Sequence, residues 1–126
     1  MRFLKYFIVF ILFSGLEAGY LSADVKKNSA DAKIYYNKGN VYYAKGEYKH
    51  AISEYSKVIE INPRDDIYFN RGLAYCHAGQ YDSAISDYSK AIELNPKYAA
   101  AYYNRANAYH SKWDYNRAVA DYKKAK

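Results

Sequence analysis

The segment Tyr68–Pro96, YFNRGLAYCHAGQYDSAISDYSKAIELNP, is written twice more in the same chain: as YYNKGNVYYAKGEYKHAISEYSKVIEINP over Tyr35–Pro63 and as YYNRANAYHSKWDYNRAVADYKKAK over Tyr102–Lys126. Asn37, Asn70 and Asn104 mark its period, 33 residues and then 34. A repeat of that length with helical patterning describes units that bury their apolar faces only by stacking on one another. Such a chain spends its residues on stacking and leaves an extended surface free. Recognition of another molecule is therefore the first expectation, and catalysis requires evidence of its own.

Working outward from that segment, each copy reads as two helices: Ala32–Lys45 and Tyr48–Ile61, Asp66–Ala78 and Asp82–Leu94, Ala99–Lys112 and Tyr115–Ala125. Gly46 and Gly79 stand where a chain leaves a helix through a left-handed residue. Asn62-Pro63 and Asn95-Pro96 end the second helix, because proline lacks a donor and keeps the preceding residue extended. Turns this short make antiparallel hairpins. The expected domain spans residues 31–126, with repeats at about 32–64, 65–98 and 99–126. Before it, Asp24–Asn28 is polar and aperiodic, so residues 24–30 read as a linker with Asn28 or Ser29 capping a helix that starts near Ala30.

The spacing of Tyr35, Gly39, Tyr42, Ala51, Tyr55, Val58 and Pro63 resembles the tetratricopeptide repeat signature. Tyr68, Gly72, Tyr75, Ala84, Tyr88, Ala91 and Pro96 repeat it, and Tyr102, Ala106, Tyr109, Ala118, Tyr122 and Ala125 give a third copy. The resemblance implies an all-α fold, a right-handed superhelical array of three antiparallel helix hairpins, a solenoid whose first helices line a concave groove. Physically, Gly39, Gly72 and Ala106 are expected to let the second helix approach closely at Ala51, Ala84 and Ala118, with large aromatics filling the space between layers. The copies also differ. The first turn between repeats is one residue shorter than the second, and Trp113 replaces the turn glycine although it is poorly suited to a positive backbone angle. Ala118, Val119, Tyr122 and Ala125 are expected to leave an apolar stripe open on the last helix.

Residues 1–23 read differently from the repeats. Arg2 and Lys5 precede the unbroken apolar run Tyr6–Phe13, and small residues follow at Ser14, Gly15, Ala18, Gly19 and Ala23. That is the layout of a signal peptide cut after Ala18 or Ala23, and the expected location is exported, periplasmic or secreted. An uncleaved membrane anchor over residues 6–23 is the alternative, since only Glu17 interrupts a longer apolar stretch. The chain of 126 residues has room for one modest domain and none for a separate catalytic one. Half its residues are apolar when its 18 tyrosines are counted among them, and mean hydropathy is −0.55. The net charge is +6, and the Lys and Arg residues are spread through all three copies, unlike the clustered stripe of a nucleic-acid binder. Cys76 is the single cysteine, so no disulfide within the chain supports the fold.

Helical spacing places Tyr36, Phe69 and Tyr103 at equivalent groove positions, followed one turn later by Asn40, Leu73 and Asn107 and then by Tyr43, Cys76 and His110. Asn37, Asn70 and Asn104 lie beside them. Aromatic rings flanked by carboxamides suit an extended peptide, because rings grip apolar side chains while each amide offers a donor and an acceptor to the backbone. Packing between helices is the competing role for the rings, and a hydrogen bond within each repeat for the amides. One subclass of the family that the chain resembles holds chaperone C-termini with Lys, Asn, Asn, Lys and Arg. Asn40 and Asn70 match that clamp, but Tyr36, Ala100 and Asn104 stand where its cations belong, so an acidic tail is not the expected ligand. Cys76 and His110 are groove equivalents on neighbouring units, a weak pairing for a nucleophile or a metal site. No cofactor or metal is expected. The expected function is a non-enzymatic scaffold binding a protein or peptide in the groove. Self-association through the open last helix, as a structural subunit of an envelope assembly, is the alternative, and nucleic-acid binding ranks below both.

Overall fold

The computed structural model describes residues 17–126, with side chains from Ala23 onward. The expected export segment, residues 1–23, lies outside the described residues as far as residue 16. Six helices follow: α1 (Glu17–Ala44), α2 (Tyr48–Ile61), α3 (Asp65–His77), α4 (Tyr81–Leu94), α5 (Ala99–Ser111) and α6 (Tyr115–Lys124). The chain divides into two compact units, residues 1–31 and 32–126, and the second carries the three hairpins. Within it α3 packs on α4, α5 on α6, α2 on α3 and α4 on α5.

The helix borders fall within one residue of those expected, except at the start of α1. That helix begins at Glu17, so the stretch expected as a linker is helical and neither Asn28 nor Ser29 caps anything. The physical reason is that Asp24–Asp31 contains no proline or glycine. A capping residue marks a start only where its predecessors leave the helix. Among the described residues no helix is long and apolar enough to cross a membrane.

The hairpin turns share one hydrogen-bond pattern. Gly46 N–H donates to the Tyr43 carbonyl (3.0 Å) and Glu47 N–H to the Tyr42 carbonyl (2.9 Å); Gly79 and Gln80 do the same toward Cys76 and Tyr75, as do Trp113 and Asp114 toward His110 and Tyr109. This Schellman geometry needs a left-handed residue, and φ is +76° at Gly46, +75° at Gly79 and +63° at Trp113. Trp113 therefore leaves the turn unaltered and carries the strain itself. Its ring covers no apolar surface of consequence. It is 79% exposed, with an edge contact to Tyr115 at 6.3 Å.

One core cluster joins Ala51, Tyr55 and Val58 of α2 to Ile67 and Ala74 of α3, and a second joins Ala84 and Tyr88 of α4 to Ala108 of α5. The repeat glycines serve the tyrosines more closely than the alanines. A Cβ at Gly39 would stand 2.6 Å from the Tyr55 ring, and one at Gly72 would stand 2.7 Å from the Tyr88 ring. Each missing methyl is the seat of a buried ring from the second helix of its own hairpin.

The last helix is less open than its sequence suggests. Ala118 is buried against α5, and the Tyr122 hydroxyl donates to Asn107 Oδ1, which turns both inward. The stripe expected from Ala118, Val119, Tyr122 and Ala125 reduces to Val119, 51% exposed, with Ala125 half-buried. Helical spacing identified a shared face but could not say that α5 already occupies most of it.

Candidate functional site

A cleft of about 300 Å³ opens where the first hairpin meets α3, lined by Tyr36, Asn40, Tyr43, Tyr55, Asn70 and Leu73. Five of the six are groove residues expected from helical spacing; Tyr55 is the addition. Asn40 Oδ1 accepts the Tyr55 hydroxyl at 2.7 Å, so that amide is oriented by the scaffold with its acceptor engaged and, among the described residues, its NH₂ group without a partner. The signal in sequence was a Tyr fifteen residues after an Asn in the first and third copies. Asn107 repeats the arrangement with Tyr122. Leu73 breaks it in the second copy, and the Tyr88 hydroxyl turns instead to the Cys76 sulfur at 3.5 Å.

The other expected groove residues lie apart from this cleft. Phe69 tilts against Tyr88 with centroids 5.8 Å apart and is stacked under Tyr98 at 5.0 Å and 29°. Tyr98 was not foreseen as part of the groove. It sits in the longer second turn between repeats, whose Asn95 side chain also donates to Asp65 at 3.0 Å, so the extra residue noted in that turn was the available signal. Tyr103, 53% exposed, rests edge-on against Tyr122. Asn104 donates to the Ala100 carbonyl of its own helix at 2.8 Å, while Asn37 is exposed. His110 packs its ring on Tyr115.

The cleft is electrically neutral among the described residues. Burial, with smaller contributions from Tyr36 and Tyr43, pushes the Tyr55 phenol up to about 12. Tyr43 is raised by burial, then by Tyr48 and Cys76. These phenols stay protonated at any physiological pH and act as hydrogen-bonding rings. Burial likewise raises the Cys76 thiol, partly offset by the Tyr88 hydroxyl, which is the opposite of what a nucleophilic cysteine requires. Among the described residues no group of three His, Cys, Asp or Glu side chains is placed to hold a metal.

Residues that sequence reading passed over hold the hairpins in register. Arg71 forks onto Asp87 with two bonds of 2.8 Å and reaches Ser56 of the preceding hairpin at 3.0 Å. Arg105 does the same with Asp121, at 2.7 and 2.8 Å, and with Ser89 at 3.0 Å. The visible signal was an Arg sixteen residues before an Asp in two consecutive copies.

A model described as TPR repeat matches residues 39–78 and 72–112, and one described as tetratricopeptide repeat matches residues 99–126. The chain belongs to the tetratricopeptide repeat family. It is an all-α scaffold of three helix hairpins, of a kind that is typically non-enzymatic and serves protein–protein interaction. Among solved structures it is similar to the TPR domain of Arabidopsis OM64, with 28% identity, a TM-score of 0.75, and 78% of this chain and 82% of that one covered. The first TPR domain of Spaghetti (RPAP3), bound to the HSP90 peptide SRMEEVD, shares 32% identity with a TM-score of 0.73 over 77% of this chain and 78% of that one. MamA shares 34% identity with a TM-score of 0.72; the match covers 75% of this chain but 56% of MamA. No curated protein matches the chain.

Proposed function

We propose that this repeat domain binds an uncharged, extended segment of a partner polypeptide in the cleft between its first hairpin and α3. The carrying observation is the neutral lining: Tyr36, Tyr43, Tyr55 and Leu73 around two carboxamides, Asn40 and Asn70. An apolar side chain fills the space between the rings. The NH₂ group of Asn40, already oriented by Tyr55, donates to a peptide carbonyl. Because the surface is preformed, little ordering cost opposes binding.

The RPAP3 domain noted above is bound to a peptide ending in Glu-Glu-Val-Asp. The same fold supports a different ligand here. Tyr36, Ala100 and Asn104 bring no positive charge, and the Asn104 amide is turned back onto Ala100. The export-like sequence of residues 1–23 supports an exported or membrane-tethered setting for this interaction.

Calorimetry with two peptide sets tests the reading. One set is N-acetylated and C-amidated with a central Phe or Leu; the other has the same core and a free Glu-Glu-Val-Asp end. At least tenfold preference for the amidated set, lost in Asn40→Ala and Leu73→Lys, is expected. Preference for the acidic tail overturns the proposal.

A further inference from the structure

The seams between hairpins contain a slot that is filled twice by the chain itself. In the second hairpin the Arg71 guanidinium lies between the rings of Tyr68 and Tyr75, 5.7 and 5.8 Å from their centroids, and forks onto Asp87. In the third, Arg105 lies between Tyr102 and Tyr109, at 5.6 and 6.0 Å, and forks onto Asp121. Ring, guanidinium, ring and carboxylate recur with the period of the repeat.

The first hairpin has the rings and the carboxylate without the guanidinium. Tyr35, Tyr42 and Glu54 occupy the equivalent positions, and Lys38 stands where Arg71 and Arg105 stand. Lys38 is exposed, and an ammonium is a point charge that cannot fork onto a carboxylate. Lys57 donates to Glu54 Oε1 at 2.8 Å and lies 5.1 Å from the centre of the Tyr35 ring. Among the described residues Glu54 Oε2 is buried with no hydrogen-bond partner. A shielded, unpaired carboxylate oxygen is costly, and glutamate carries it one methylene farther out than the aspartates of the filled slots.

We propose that the Tyr35–Tyr42–Glu54 slot binds a guanidinium group, and that its occupant is an arginine side chain presented by a partner polypeptide. The charge complementarity is that which the chain itself displays twice, and the entering guanidinium displaces Lys57 from Glu54 and from the Tyr35 ring. The surroundings select a polypeptide. Ile34 and Val41, one turn either side of Lys38, are 50% and 52% exposed, whereas their equivalents Ile67 and Ala74 are 1% and 0% exposed beneath the neighbouring hairpin. An arginine set among apolar side chains satisfies both the carboxylate and this rim. The site is distinct from the groove.

Ring resonances of Tyr35 and Tyr42 in the full chain, followed by NMR during titration with acetyl-Ala-Ala-Arg-Ala-Ala-amide and its lysine counterpart, test the proposal. The arginine peptide is expected to shift both rings, and the lysine peptide to bind at least fivefold more weakly. Glu54→Gln should abolish the shifts. Lys38→Arg, which supplies the guanidinium from within the chain, should raise the melting temperature and block the peptide, and this arm holds even if Glu54→Gln folds poorly. Unmoved rings, shifts that persist in a folded Glu54→Gln variant, or equal response to both peptides overturn the proposal. So does a loss of melting temperature in Lys38→Ala equal to that in Arg71→Ala, which would mean that Lys38 already fills the slot. Ring shifts that appear on concentrating the chain alone would assign the occupant to a second copy and overturn the partner.

Discussion

Arg105 of α5 and Asp121 of α6 hold each other through two hydrogen bonds, with the arginine side chain 16% exposed and the aspartate 5%. Ser89 of α4 accepts a third bond from the same guanidinium, so one side chain ties a hairpin together and ties it to the hairpin before it. Removing the arginine leaves a buried carboxylate unpaired. Arg105→Ala is expected to destabilise the domain by about 2–3 kcal/mol, toward the low side of a broken buried pair because the guanidinium is partly exposed. Arg105→Met combined with Asp121→Leu should lose less than Arg105→Ala alone. Urea unfolding followed by circular dichroism measures both, and equal losses would contradict an ion pair that is costly mainly when half of it remains.

The Tyr55 phenol supplies a pH signature. Its folded-state pKa, about 12 against an ordinary 10.0, means that the folded form holds the proton more tightly than the unfolded chain does. The contribution to stability is complete below pH 10 and is lost as pH rises from 10 through 12. Tyr88 and Cys76, raised chiefly by burial, act in the same direction. Melting temperature should therefore fall through this alkaline range, and less steeply in Tyr55→Phe. At neutral pH that variant should lose about 1 kcal/mol with its hydrogen bond to Asn40. An unchanged alkaline slope in Tyr55→Phe would dismiss the assignment.

Trp113→Gly should stabilise the domain. A tryptophan at φ +63° carries strain that glycine does not, and a ring 79% exposed has little burial to lose. Relief of about 1 kcal/mol is expected, less the greater entropy of glycine in the unfolded chain. Thermal unfolding decides it; a lower melting point would show that the Tyr115 contact outweighs the backbone.

Gly72→Ala should do the reverse. The added methyl meets the Tyr88 ring at 2.7 and 2.9 Å, and that ring is fully buried and unable to withdraw. Overpacking of about 1–3 kcal/mol is expected. Urea midpoints for Gly72→Ala and the wild type give the comparison. A neutral effect would show that the hairpin opens more readily than its burial implies.

Much of the fold was legible because helical periodicity and local punctuation carry it. Gly46, Gly79, Asn62-Pro63 and Asn95-Pro96 act through their own backbone angles, so they marked the turns without reference to anything distant. The start of α1 was misread because Asp24–Asp31 is polar without containing a breaker, and polarity alone does not end a helix. In the site, helical spacing placed Tyr36, Asn40, Tyr43, Asn70 and Leu73 on the face that lines the cleft. It could not show that Tyr98 covers Phe69, since that contact brings a residue of the turn after α4 back onto α3.

The sequence by itself determined a threefold array of helix hairpins and most of the faces its helices bury. These follow from a repeat whose information is local and periodic. Only the tertiary structure decided which groups remain free: Asn40 keeps its donor because Tyr55 takes its acceptor, Ala118 is buried and Tyr122 half-buried against α5, and among the described residues Glu54 keeps an unpaired oxygen where Asp87 and Asp121 have none. The bonds of Asn40, Asn107, Asp87 and Asp121 join side chains fifteen or sixteen residues apart, set by the distance at which two helices come to rest, and no spacing along the chain states that distance.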